Sequence, residues 1–309
     1  MEAILSRYVD DYKSIPVDSY ITLHRRLFPE ADLSFLEGKR TIVVLALSYP
    51  KEKPRPKGPG YGMVSRYAHG RDYHLVFKER LEAIEQALKE EGVTAEGAVD
   101  INPVDERLAA FAAGMGYIGY NRYLIHPVYG THLYLATLLI DKDVRFAPYE
   151  RDTCGDCRRC IEACPTEALE ENAFHVGRCL SHKTQAKAYY PPRELEAFHY
   201  VFGCDICADV CPKNEAISPV ERDVFQSDEH AQLHLETLLS QSNKELMRRF
   251  KGYAFAWRGG LVLKRNALAL LYRRGLLDEG TLEPLYEQYA HVPWFERTVR
   301  ALFEEEESL

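Results

Sequence analysis

The 309-residue chain carries 39 Lys and Arg against 47 Asp and Glu, a net charge of -8, and 46% of it is hydrophobic. That composition excludes a disordered chain and a protein coated in basic charge, while leaving room for a local basic face. No apolar run reaches the ~20 residues of a membrane helix. The opening MEAILSRYVDDYKSIP lacks the basic and apolar regions of a signal peptide, so a cytoplasmic protein with no membrane contact is expected.

In chain order, residues 1–37 are mixed and weakly periodic. TIVVLALSYP (41–50) is β-branched and apolar, the pattern of a buried strand. KEKPRPKGPGYG (51–62) is a loop by its Pro, Gly and Lys content. DYHLVFKERLEAIEQALKEEG (72–92) has helical apolar spacing and ends on Gly. EGAVDINP (96–103) predicts a short strand leading into a helix with Asn102 as N-cap, Pro103 at its first position and Asp105 in its first turn. That helix runs to Gly114, and YLIHP and THLYLATLLID (131–141) predict strands. From about residue 221 the chain reads as helical, with LKRNALALLYRRG (263–275) and LEPLYEQYAHVPWFERTVRALFEE (282–305) as paired amphipathic helices. The fold class is therefore α+β, in three consecutive parts: an α+β domain over 1–148, a cysteine module over 149–220 and a helical region over 221–309.

All 8 cysteines lie between Cys154 and Cys211. The first motif is Cys154-x2-Cys157-x2-Cys160-x3-Cys164-Pro165, and the second is Cys204-x2-Cys207-x3-Cys211-Pro212, with Cys179 between them. Such runs are ferredoxin-like: a tight loop supplies three thiolates to a cube, and the fourth cysteine of the run ligates the other cluster. The expected sets are Cys154, Cys157, Cys160 and Cys211 for one 4Fe-4S cluster, and Cys164, Cys179, Cys204 and Cys207 for the other. Structural zinc prefers two separated C-x2-C pairs and fits this spacing poorly. Two such clusters imply one-electron transfers and an external electron donor.

Gly114-Met115-Gly116-Tyr117-Ile118-Gly119 matches G-x-G-x-x-G but in the wrong context, since a dinucleotide fingerprint follows a strand and opens a helix. Here a helix precedes the glycines and a strand follows, so Gly114 reads as a helix C-cap.

The cysteine runs, together with TIVVLALSYP, SRYAHGRDYH (65–74), VDINPVDERLAAFAAGMGYIGYN (99–121), YGTHLYLA (129–136), RCLSHKTQAK (178–187), VFGCDICADVCPKN (201–214) and WRGGLVLKRNALAL (257–270), resemble the epoxyqueuosine reductase family. These are cobalamin-dependent iron–sulfur enzymes of the last step of queuosine synthesis in tRNA. The resemblance spans about residues 36–275 and implies an N-terminal cobalamin-binding domain and HEAT-like C-terminal helices. It implies Asp100 as the proton donor and a cobalamin site lined by Ser65, Arg66, Asp100, Ile101, Asn102, Pro103, Val104, Asp105, Gly119, Leu124, His126, Leu135, Ser181, Asp205 and Ile206. If Asp100 is buried beside the corrin, its pKa is expected to be raised. The sequence departs from the family at Gly119-Tyr120-Asn121, where G-K-N is usual, in a shorter N-terminal region, where Arg25 or Arg26 could serve a cofactor contact, and in a C-terminal region that fits at most one or two HEAT-like repeats.

A tRNA partner calls for phosphate-neutralising charge interleaved with aromatics. RRFKGYAFAWRGGLVLKR (248–265) and HKTQAKAYYPPR (182–193) have that character, and Lys183, Lys187, Arg258, Lys264 and Arg265 are the candidate contacts. The expected activity is reduction of epoxyqueuosine to queuosine in tRNA by a monomer. The alternatives are an electron-transfer iron–sulfur protein and a related cobalamin-dependent reductase with another substrate.

Overall fold

The structure is a computed structural model that describes residues 1–100, 103–217 and 222–306. Ile101 and Asn102 of the expected site lie outside the described residues. The strands are β1 (Asp11–Pro16), β2 (Thr41–Ser48), β3 (Tyr61–Val64), β4 (Ala95–Ala98), β5 (Tyr117–Ile118), β6 (Leu124–Ile125), β7 (Leu133–Ile140), β8 (Tyr200–Phe202) and β9 (Gln232–His234). The first four long helices are α1 (Glu2–Tyr8), α2 (Val17–Leu27), α3 (Tyr73–Glu90) and α4 (Glu106–Ala112). Mixed helix and sheet bear out the α+β class. Two compact units alternate along the chain, unlike three consecutive segments: Met1–Lys51, Tyr73–Arg158 and Cys211–Arg222 form one, and Glu52–Asp72, Arg159–Val210 and Asp223–Leu309 the other.

The first unit is built on an antiparallel sheet in the order β1-β2-β7-β4. Every residue of β2 is buried, as its unbroken apolar run requires of a strand covered on both faces. Ile42, Val44 and Ala46 pack with Tyr20, Ala109, Ala110 and Met115 in one core. Each large apolar side chain withdrawn from water here contributes about 1.5–3 kcal/mol before entropy is counted. Gly97 of β4 has a structural reason: a Cβ there would meet Leu81 of α3 at 2.7 Å, so the helix lies on the strand only because the side chain is absent. The start of α4 corrects the expected cap. Asp105 is the N-cap and accepts from the Leu108 N–H, three residues later than anticipated. Its end matches the reading of Gly114. That residue has φ +72°, with Gly114 N–H donating to Phe111 and Met115 N–H to Ala110, which closes the last carbonyls of the helix.

The second unit holds a small sheet, β8-β3-β9, with β3 parallel to β8 and antiparallel to β9. The helix Gly260–Arg273 packs against it. Gly62 of β3 makes this approach possible, since a Cβ there would meet Val201, Leu270 and Leu235 within 2.9 Å. This helix is buried nearly all round from Val262 to Leu271, and so is not the amphipathic helix expected. The following stretch is two helices, Glu279–Tyr289 and Pro293–Glu306, joined where Tyr289 and Phe295 meet at 5.3 Å between ring centroids. Among the described residues no helix is long and apolar enough to cross a membrane.

Candidate functional site: thiol groups, an aspartate–histidine pair and a basic helix

None of the eight cysteines forms a disulfide. In the second unit the chain brings Cys164, Cys179, Cys204 and Cys207 together. Cys179 stands at the start of the helix Leu180–Gln185, Cys207 lies within the turn Ile206–Asp209, and Cys164 Sγ accepts from the Ala168 N–H at 3.3 Å. Burial, then the charges of Asp205, Cys179 and Cys164, push the Cys204 thiol up to about 12. Burial and Cys204, Cys179, Cys160 and Cys164 push Cys207 well up. In the first unit Cys211 is raised by burial and by Cys154 and Cys157. Crowded, buried thiols repel one another as thiolates, and metal supplies the charge that relieves this. Among the described residues no three His, Cys, Asp or Glu side chains close on a point as one metal ion requires. A four-iron cluster takes four thiolates, and Cys164, Cys179, Cys204 and Cys207 supply that number within one unit.

Asp100 follows β4 with φ +58°, a left-handed conformation that a non-glycine residue adopts at a cost. Its N–H donates to Glu106 Oε1 at 2.8 Å, and His74 Nε2, on α3, lies 3.1 Å from Oδ2. Its side chain is 56% exposed. The His74 hydrogen bond leads the causes that hold the carboxyl below its ordinary value, outweighing partial burial. An open cleft of about 850 Å³ lies beside it, lined by His24, Phe28, Val104, Asp105 and Arg107 among others.

The loop after α4 forms the β5–β6 hairpin. A Cβ on Gly119 would meet Ile125 and Asn121 within 2.8 Å. Asn121 is buried, and its Nδ2 has no hydrogen-bond partner. Tyr120 donates to the Gly155 carbonyl at 3.4 Å, and the Arg158 guanidinium lies 4.5 Å from the centre of its ring. His126 is committed on both ring nitrogens: Nε2 pairs with Asp11 at 2.8 Å, and Nδ1 accepts from the Val128 and Tyr129 N–H groups. Leu124 is buried in the adjoining core. In the second unit, Ser65 and Arg66 are joined to Asp205. Ser65 Oγ and the Arg66 N–H both donate to that carboxylate, and Arg66 also pairs with Asp209 at 2.6 Å. Ile206 and Ser181 are half-buried in the same unit.

Residues 33–101 match the family model of epoxyqueuosine reductase QueG, and residues 153–214 match the 4Fe-4S double cluster binding domain. The epoxyqueuosine reductase of Staphylococcus aureus is 34% identical over 79% of this chain and 68% of its own length. That of Bacillus subtilis is 30% identical over 85% of this chain and 75% of its own. The chain belongs to the epoxyqueuosine reductase family. Family membership makes it an oxidoreductase with a double-cluster domain. A solved epoxyqueuosine reductase bound to an epoxyqueuosine-modified tRNA-Tyr stem loop superposes with a TM-score of 0.83 at 27% identity, covering 96% of this chain and 88% of that one. The Bacillus subtilis epoxyqueuosine reductase, solved with its catalytic aspartate loop swung out of the active site, superposes at 0.81 and 26% identity, covering 96% and 87%.

For this epoxyqueuosine reductase relative the basic face is smaller than the sequence suggests. Lys264 and Arg265 are fully buried. Lys264 Nζ donates to the carbonyls of Leu239 and Gln241. Arg265 donates to the carbonyls of Lys183, Ala186 and Ala188 and to Asn266 Oδ1. Burial pulls Lys264 down to about 8 and Arg265 to about 10. Lys183 is buried too, paired with Glu194 at 2.6 Å. Lys264 and Arg265 brace the helix Gly260–Arg273 through these carbonyls, and the charge of Lys183 is matched by Glu194. Lys187 is exposed, and Arg258 lies 4.0 Å over the ring of Trp257, which is 60% exposed. His74, Tyr117 and Asn121 were not singled out from the sequence, although SRYAHGRDYH, which ends in His74, and GMGYIGYN, which holds the other two, are both family-like stretches.

Proposed function

We propose that this chain reduces epoxyqueuosine in tRNA to queuosine, with Asp100 supplying a proton to the departing epoxide oxygen. The single observation that carries the reading is the Asp100–His74 pair, held at the edge of a cleft within the region that matches the family model. The relative that holds a modified stem loop supports tRNA as the substrate. Removing the epoxide oxygen consumes two electrons and two protons and leaves an alkene and water. When bound, cobalamin and the clusters supply the electrons.

Cys154, Cys157, Cys160 and Cys211 would hold one cluster, and Cys164, Cys179, Cys204 and Cys207 the other. Asn121 Nδ2, a shielded donor lacking a partner, fits the carbonyl of a corrin acetamide, and Gly119 keeps that loop slim. His126, bonded at both ring nitrogens, would steady the hairpin beside that group. Because the carboxyl of Asp100 is held low, it is ionised at neutral pH and must take up a proton before it gives one. His74 Nε2 is placed to deliver it. Asp100 lines the cleft, and a solved relative with its catalytic aspartate loop swung out of the active site supports an aspartate that loads its proton before delivering it. Lys187, Arg258 and Trp257 would meet the RNA, the two cations at phosphate and the indole against a base. An external donor would re-reduce the clusters in the cytoplasm.

The test is an anaerobic reaction of the cluster-loaded chain with cob(II)alamin, a strong reductant and epoxyqueuosine-tRNA, followed by nucleoside mass spectrometry. Loss of 16 mass units, the mass of one oxygen atom, from the modified nucleoside is expected; an unchanged nucleoside with both cofactors bound would reject the reading.

A further inference from the structure

Tyr117 opens the β5–β6 hairpin and is 8% exposed. It packs with Ile125 and Cys211, and Cys154 lies against the same cluster. All four belong to the first unit. Inside this otherwise apolar contact the Tyr117 hydroxyl is shielded from solvent and has no hydrogen-bond partner of ordinary geometry. A buried hydroxyl left unmade costs roughly 1–3 kcal/mol, so the position calls for an acceptor. The cysteine side chains of that contact, Cys211 and Cys154, bring sulfur to the same place. A phenol hydroxyl is a donor throughout the neutral pH range.

We infer that Tyr117 donates its hydroxyl proton in a hydrogen bond to the Cys154 thiolate of the bound cluster and so raises that cluster's reduction potential. This rests on the cluster reading given above. Each electron added makes the cluster sulfurs more negative, so a donor aimed at one of them favours the reduced state. The apolar wall of Ile125 and the Tyr117 ring keeps water from competing for the same lone pair. Tyr120, three residues on, contacts the same cysteine loop through Gly155 and Arg158.

The experiment compares wild type with Tyr117→Phe, a change that removes one oxygen and keeps the ring. Both are cluster-loaded, assayed for iron and titrated potentiometrically with detection by electron paramagnetic resonance. Full iron content with one of two midpoint potentials shifted negative, the other unmoved, is expected. Full iron with both potentials unmoved would overturn the inference while leaving the cluster reading intact; absence of clusters from wild type would instead remove the cluster reading. Resonance Raman of the wild type in heavy water covers the case of a variant that loads poorly. An Fe–S(Cys) stretch that shifts on deuteration supports the bond, and a stretch insensitive to deuteration overturns it.

Discussion

His74 Nε2 stands 3.1 Å from Asp100 Oδ2, across the junction between α3 and the end of β4. The contact sets the charge of the carboxyl and its direction together. A single aspartate in left-handed backbone would be poorly placed without it, and Glu106, receiving the Asp100 N–H, fixes the main chain from the other side.

Replacing His74 by Gln removes the leading cause of the low Asp100 pKa, so the carboxyl should return toward 3.8. Carbon-13 NMR of labelled aspartate reads this directly. Turnover should fall by about 10- to 100-fold if His74 supplies the proton, while cofactor binding stays intact. An unmoved Asp100 titration would show that the pair does not couple.

The two thiol groups make separate predictions. Cys179→Ser should reduce loading to about one cluster of the two, because its three expected partners lose their fourth thiolate. Cys211→Ser should deplete the other. Iron and sulfide analysis after anaerobic reconstitution, with the spectrum of the remaining cluster, checks both. Equal loss of both clusters from either variant would contradict the assignment.

Buried and exposed cations should behave oppositely. Arg265→Ala strips the partner from three carbonyls and Asn266, at a cost of roughly 3–5 kcal/mol, and should appear as a lowered melting temperature. Lys187→Ala and Arg258→Ala should leave melting nearly unchanged. Each should weaken stem-loop binding and lower the salt slope by about 1.

Acid should destabilise the first unit through Asp10. Burial alone would raise its pKa, but hydrogen bonds from Arg222 and Ser48 outweigh that and lower it. The folded value lies below the unfolded one. The stabilisation is therefore present above about 3.8, and is lost as pH falls through the lower folded value. Asp10→Asn should flatten this acid limb of a stability-versus-pH curve measured by urea unfolding, and an unchanged limb would exclude Asp10 as its source.

Much of this was legible in the residues. The cysteine spacing, the apolar run of β2 and the helical period of α3 are local signals strong enough to survive folding. The order helix-then-strand around Gly114 exposed a false dinucleotide motif. What misled was tertiary context. DYKSIP gave no strand signal because its charged Lys13 and Asp11 pair with each other at 3.0 Å and are covered by the first unit, and its last residue is Pro. Lys264 and Arg265 looked like phosphate ligands because local density of charge says nothing of burial; their partners are carbonyls 23 to 82 residues away in sequence. His74 stayed unseen because its partner is 26 residues along and meets it only once α3 lies on β4.

The most direct measurement is a single-turnover reaction of the fully loaded wild type and Asp100→Asn, side by side, on an epoxyqueuosine-modified stem loop. Wild type should yield queuosine, and the variant, with iron and cobalamin content unchanged, should be slower by about 10²–10⁴-fold. Equal rates, or no conversion by wild type with both cofactors in place, would contradict the account.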